Sequence, residues 1–150
     1  MTPSRIVLLV LAFGVGWTTH YLTAPSAEPA SSVMTQATAA TEAFEWGTFY
    51  TYFTDETYGM KDLLSGIAVI KPGWEIHPPH QHAEEEFLMV TQGTGTWTVN
   101  GKSFEAKPGD LLYAYPWEWH GVKNTGEEPL TFVVFKWNNQ GVAVPEQPED

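Results

Sequence analysis

Four side chains of this 150-residue chain have the types and spacing to hold a metal ion. His80 and His82 are two residues apart, so in an extended segment both imidazoles project from one face, with Cα atoms roughly 6–7 Å apart. Rings at that spacing converge on one ion at nitrogen–metal distances of ~2.0–2.2 Å. Glu86 opens the next strand and adds a carboxylate oxygen from beside them. His120 lies far along the chain, and closing a sheet is what brings it across. Three neutral imidazoles and one carboxylate suit one divalent first-row ion (Fe, Mn, Ni, Zn or Cu), with up to two coordination positions left open. Open positions distinguish a site for chemistry from a closed structural site. A lone strand histidine is ordinarily just a hydrogen-bonded side chain, so the metal reading rests on the spacing of all four. No residue is assigned a catalytic role beyond this set, except that Glu86 is placed to act as a base should it leave the metal.

Other chemistries are excluded by composition. The chain has no cysteine, which removes disulfides, thiolate zinc sites, iron–sulfur clusters and a thiol nucleophile. A net charge of −11 and a pI near 4.7 argue against nucleic acid as a partner. No Gly-x-Ser-x-Gly elbow is present, and the histidines are already committed, so a Ser-His-Asp triad is not supported. His77, just before Pro78-Pro79, reads as an exposed loop histidine, with a supporting acid–base role as the sharper alternative. Glu84 and Glu85 read as solvated or structural, and Glu118 as rim charge. Trp97, Trp137, Tyr113, Tyr115 and Phe87 read as core or dimer-interface residues; strand parity does not say which aromatics face a ligand.

The elements that must position this set are short strands. WGTFYTYF (46–53), LLSGIAVI (63–70), EFLMVT (86–91), TWTV (96–99), LLYAY (111–115) and LTFVVFKW (130–137) carry aromatic or β-branched runs between turn signals. Asn100-Gly101, between TWTV and KSFEA, predicts a type I′ hairpin, whose two central residues both take φ > 0. No stretch of ten residues has helical period with caps, so the fold class is all-β, a sandwich or barrel of antiparallel strands.

The ends read differently. Arg5 precedes a 12-residue apolar run, Ile6–Trp17, too short for the roughly 20 residues of a bilayer span but suited to a signal-peptide core. Residues 1–26 are therefore expected to be a signal peptide or, alternatively, an N-terminal anchor tethering the protein to a membrane. Residues 27–43 are small and polar, as in a disordered linker. The domain is expected at 44–142, with a polar tail at 143–150. Export places the protein in the periplasm or cell envelope.

At the metal-type residues the sequence resembles the cupin superfamily. Its first motif is matched by Gly73, by His80-Gln81-His82-Ala83-Glu84-Glu85-Glu86 and by Gly93, with the first glycine one residue farther away than usual. The second is matched by Gly109, His120 and Asn124, while Pro116 lies one residue late and Trp117 occupies the usual second-glycine position. The resemblance covers about residues 60–137. It implies a single-domain double-stranded β-helix, or jelly-roll barrel, with His80, His82, Glu86 and His120 as metal ligands. It leaves the reaction open among dioxygenase, isomerase and lyase types. The function expected is that of a metal-dependent enzyme on a small oxygen-bearing substrate. The alternative is an exported, non-catalytic module that binds a small molecule or carbohydrate through the metal. A homodimer is expected.

Overall fold

The computed structural model describes residues 31–149, and these contain nine strands. They are β1 (Ala40–Phe44), β2 (Gly47–Phe53), β3 (Met60–Ile70), β4 (Glu85–Gln92), β5 (Gly95–Val99), β6 (Lys102–Ala106), β7 (Leu111–Ala114), β8 (His120–Lys123) and β9 (Leu130–Asn139). Six form one antiparallel sheet in the order β1-β2-β3-β9-β4-β7, and three form a second in the order β6-β5-β8. The result is the all-β jelly roll expected. No helix long and apolar enough to cross a membrane occurs among the described residues. The signal or anchor reading of residues 1–26 lies outside them.

Alternation within the strands builds the core. On β9, Leu130, Phe132 and Val134 point inward, meeting Ile70 and Ala68 of β3 on one side and Val90 and Leu88 of β4 on the other. Trp97 and Val122, register partners on β5 and β8, close the opposite wall. Burying each large apolar side chain contributes roughly 1.5–3 kcal/mol, which is why the period of two dictates which face turns inward. The Asn100-Gly101 hairpin forms as expected, with φ of 47° and 76°. Gly93, at φ 76°, has no substitute: a Cβ there would lie 2.4 Å from the Pro129 carbonyl oxygen.

One boundary differs from the expectation. The sheet begins at Ala40, inside the stretch read as linker, and β1 pairs with β2 along its whole length. All five β1 residues are exposed, so the strand is held by backbone pairing and leaves no hydrophobic alternation to read. At the other end the tail has no regular structure, yet it is not wholly detached, because the Trp117 indole donates a hydrogen bond to the Pro145 carbonyl at 2.8 Å.

Candidate metal centre

The three histidines reach one point from two places in the chain. His80 and His82 sit on the connection between β3 and β4, and His120 opens β8. His80 and His120 exchange both backbone hydrogen bonds, each at 2.9 Å, so the connection is stitched to β8 at the ligand positions themselves. Gly121 makes room for this approach, since a Cβ there would come within 3.1 Å of the Pro79 Cα. The ring centroids of His80, His82 and His120 form a near-equilateral triangle with sides of 5.1, 4.8 and 4.8 Å. One nitrogen from each lies within 4.8 Å of the others.

Glu86 completes the group. Its Oε2 is 2.7 Å from His82 Nε2 and 3.5 Å from His120 Nε2. Neighbouring ligands at ~2.1 Å from a common ion stand about 3.0–3.4 Å apart; these separations lie a little to either side of that range, the shorter one being a hydrogen bond. The tautomers fit a shared ion. His82 Nδ1 donates to the Glu84 carbonyl at 3.0 Å and His120 Nδ1 to the Glu118 carbonyl at 2.8 Å, so both leave Nε2 facing the centre. His80 Nδ1 and His120 Nε2 are buried ring nitrogens with no hydrogen-bond partner. Buried polar atoms are rarely left so, and a bound cation would satisfy them.

Electrostatics prepare most of the set in ligand form. Burial, reinforced by His77, His120 and His82, lowers the His80 pKa to about 4, keeping the ring neutral. Burial opposes ionisation of Glu86, but the His120 and His82 imidazoles beside it outweigh that and hold the carboxyl at about 2. His120 moves the other way: burial favours its neutral form, yet the Glu86 carboxylate and the Glu118 carbonyl raise its pKa above the usual histidine value. A metal must therefore displace a proton at His120 and none at His80.

Three of the four side chains form part of the wall of a cavity of about 260 Å³. His80, Glu86 and His120 line it together with Phe44, Trp46, Phe49, Leu64, Ile76, Leu88, Val122, Phe132 and Val134. Phe44 and Trp46 stack at 4.9 Å and 9° to one another. His77 is exposed, as expected, but it also lines the cavity, with its ring 3.9 Å from that of His80. Glu118 is not on the cavity wall; it accepts a hydrogen bond from Asn100 Nδ2 at 3.1 Å, as a rim residue would. Glu85 is structural, accepting from Tyr113 at 2.8 Å and Asn139 at 3.0 Å. Trp97 is core, whereas Phe87, Tyr113 and Trp137 cluster away from the cavity, their ring centroids 5.1 and 5.4 Å apart across Phe87. Asn124, fully buried, ties the Ile70 and Glu128 carbonyls together at 2.8 and 2.9 Å.

Sequence reasoning missed Phe44, Trp46, Phe49 and Lys136 as cavity residues. For Lys136 a signal existed: it continues the inward parity of Phe132 and Val134 on β9.

Residues 66–136 match the family described as "Cupin domain", and this stretch contains all four ligand-type residues. Over this stretch, a little under half of its length, the chain belongs to the cupin superfamily. It is 32% identical over 77 residues to a gentisate 1,2-dioxygenase of Streptomyces sp., a match covering 51% of this chain and 21% of the relative. It is 32% identical over 93 residues to a dimethylsulfoniopropionate lyase of Ruegeria pomeroyi, covering 53% of this chain and 60% of that one. Among solved structures, KdgF from Halomonas sp. superposes with a TM-score of 0.61 at 19% identity, covering 74% of this chain and 97% of that one, a likeness of fold alone. The chain spans about a fifth of the length of the gentisate dioxygenases it resembles.

Proposed function

We propose that this protein is a metal-dependent enzyme acting on a small chelating substrate, with O₂-dependent oxidation of a hydroxylated aromatic acid as its reaction. The observation that carries this reading is the convergence of His80, His82, His120 and Glu86, three of which (His80, Glu86 and His120) stand on the wall of an otherwise mainly apolar cavity. A closed structural site would bury its ligands against protein; here three of the four face space of substrate size. The resemblance to a gentisate dioxygenase over the region holding these residues supports the oxidative version.

His80, His82, His120 and Glu86 would hold the ion. A divalent ion held there supplies Lewis acidity toward substrate oxygens and, if redox-active, electron exchange with O₂. The chain's own residues do the rest. Phe44, Trp46 and Phe49 exclude water and offer flat apolar faces to a ring. The backbone carbonyls of Glu84 and Glu118 fix the imidazole orientations. Glu86, ionised across the neutral range, would act as a base only on leaving the ion.

The test is an oxygen-electrode assay of the Fe(II)-loaded full chain with gentisate and related hydroxybenzoates, with the His82→Ala variant as control. Oxygen uptake coupled to loss of substrate, absent in the variant, supports the enzyme. Tight binding without turnover under Fe, Mn, Ni, Zn or Cu would make the protein a binding module instead.

Two further readings belong to the same proposal. Residues 1–26 direct export, on the sequence pattern described above, so the domain works in the periplasm or cell envelope. The chain forms a homodimer through the outer face of β4, β7 and β9, where Met89, Leu111, Tyr113 and Phe135 are exposed side by side.

A further inference from the structure

Lys136 puts a charge where neither the metal ligands nor the core requires one. It follows Phe132 and Val134 at alternate positions of β9 and faces the same interior. Its Cα pairs in register with Glu86 on β4 and with Leu64 on β3, so it neighbours a proposed metal ligand directly. Among the described residues lining the cavity it is the lysine, set among aromatic and aliphatic side chains and the histidine cluster. Its Nζ lies 3.4 Å from Glu84 Oε1, both side chains being partly exposed. A pair of that length and exposure adds little stability. The structure thus holds an ammonium loosely, beside the metal-type residues.

We propose that Lys136 receives the anionic group of the substrate, and that this group is a single carboxylate. The inference rests on the metal-centre reading above and adds to it the residue that receives and selects the acid group. One ammonium matches one negative charge, and a surface of net charge −11 repels polyanions such as phosphate esters. The cavity, about 260 Å³, is below the ~300–1,000 Å³ usual for drug-sized ligands, which limits the occupant to a small molecule. The stacked Phe44–Trp46 pair favours a planar one. The substrate carboxylate replaces Glu84 at the ammonium, exchanging a partly exposed ion pair for one sheltered by the cavity. Lysine, unlike arginine, supplies a point charge on a flexible stem, so it follows the carboxylate without imposing a planar geometry.

The test compares 3,4-dihydroxybenzoate with catechol as probes of the Zn(II)-loaded full chain by isothermal calorimetry. Both offer the same pair of adjacent phenolic oxygens to a metal, and 3,4-dihydroxybenzoate alone adds a carboxylate, which cannot share that chelate. Zinc is redox-silent, so each complex persists during the titration. Wild type should bind 3,4-dihydroxybenzoate about tenfold or more tighter than catechol, the scale of a charge-assisted contact. Lys136→Gln should abolish that preference and Lys136→Arg should retain most of it, with zinc content and far-UV circular dichroism confirming that both variants are loaded and folded. An unchanged preference in Lys136→Gln overturns the assignment. Wild type binding catechol but showing no preference for 3,4-dihydroxybenzoate also overturns it, while leaving the chelating site intact. Binding of neither probe by zinc-loaded wild type defeats the chelation reading, and the lysine assignment with it.

Discussion

Trp117 and His82 are joined through their backbones: the Trp117 N–H donates to the His82 carbonyl at 2.8 Å. Trp117 makes this bond from a left-handed conformation, φ 64°, at a position where the cupin pattern has glycine. Its indole reaches the other way, to the Pro145 carbonyl at 2.8 Å. One residue therefore links the turn before His120, the segment carrying His82 and the C-terminal tail. A left-handed conformation costs a side-chain-bearing residue roughly 1–2 kcal/mol, and these contacts hold the tryptophan there.

A β-branched residue fits that conformation worst. Trp117→Val should destabilise the protein by about 1–2 kcal/mol or more and reduce metal occupancy, whereas Trp117→Gly should keep the metal and lose only the tail contact. Thermal melts with metal analysis separate the two, and a valine variant as stable as wild type would show that the strain is not real.

Removing a ligand should empty the site and leave the barrel standing. His82→Ala and His120→Ala are expected to lower metal affinity by more than the ~10–100-fold typical of losing a residue that only orients a ligand. The hydrophobic core cluster contains none of these rings, so far-UV circular dichroism should be close to that of wild type. Full metal occupancy in either variant would dismiss the assignment.

Metal uptake should release protons near neutral pH. His80, held to about 4, and Glu86, held to about 2, are already deprotonated, whereas His120, whose pKa is raised, has a proton to give up. Affinity should begin to fall at a pH above the ordinary histidine value of ~6.5 as pH decreases. Titrations in buffers of different ionisation enthalpy measure this directly. Equal apparent enthalpies in all buffers would exclude the release.

The metal-free chain should be most stable near pH 6.5, because two histidines pull in opposite directions. The unfolded chain takes up the His80 proton that the folded chain resists, so stability falls as pH drops from ~6.5 toward about 4. His120 binds its proton more tightly when folded; that stability is complete below ~6.5 and is lost as pH rises through its raised value. Glu86 contributes above its unfolded value of 4.5 and loses that contribution only as pH falls toward about 2. Melting curves of chelator-treated wild type and His120→Gln from pH 4 to pH 9 should show the alkaline decline weakened in the variant.

The homodimer has its own check. Phe135 and Met89 stand on the outer face of the large sheet, 47% and 43% exposed, and replacing both with lysine should convert a dimer into a monomer by light scattering. A monomeric wild type would dispose of the interface.

Much of this was legible in the residues themselves. Strand alternation marks the inward faces of β3, β4 and β9, because burial repeats every two residues whatever the rest of the chain does. Asn100-Gly101 specifies its hairpin locally, and the interval His80-x-His82 with Glu86 confines three ligand-type residues to one segment. β1 escaped notice because, Phe44 apart, its side chains bury little and the strand is held by backbone pairing, which is blind to side-chain type. Only tertiary structure brings His120 across to His80, through a pair of backbone bonds between residues 40 positions apart. It alone places Phe44, Trp46 and Lys136 around one cavity, since local pattern says which face a side chain occupies, not which other faces close over it. That depends on the order of strands across the sheets, which is set by long-range pairing.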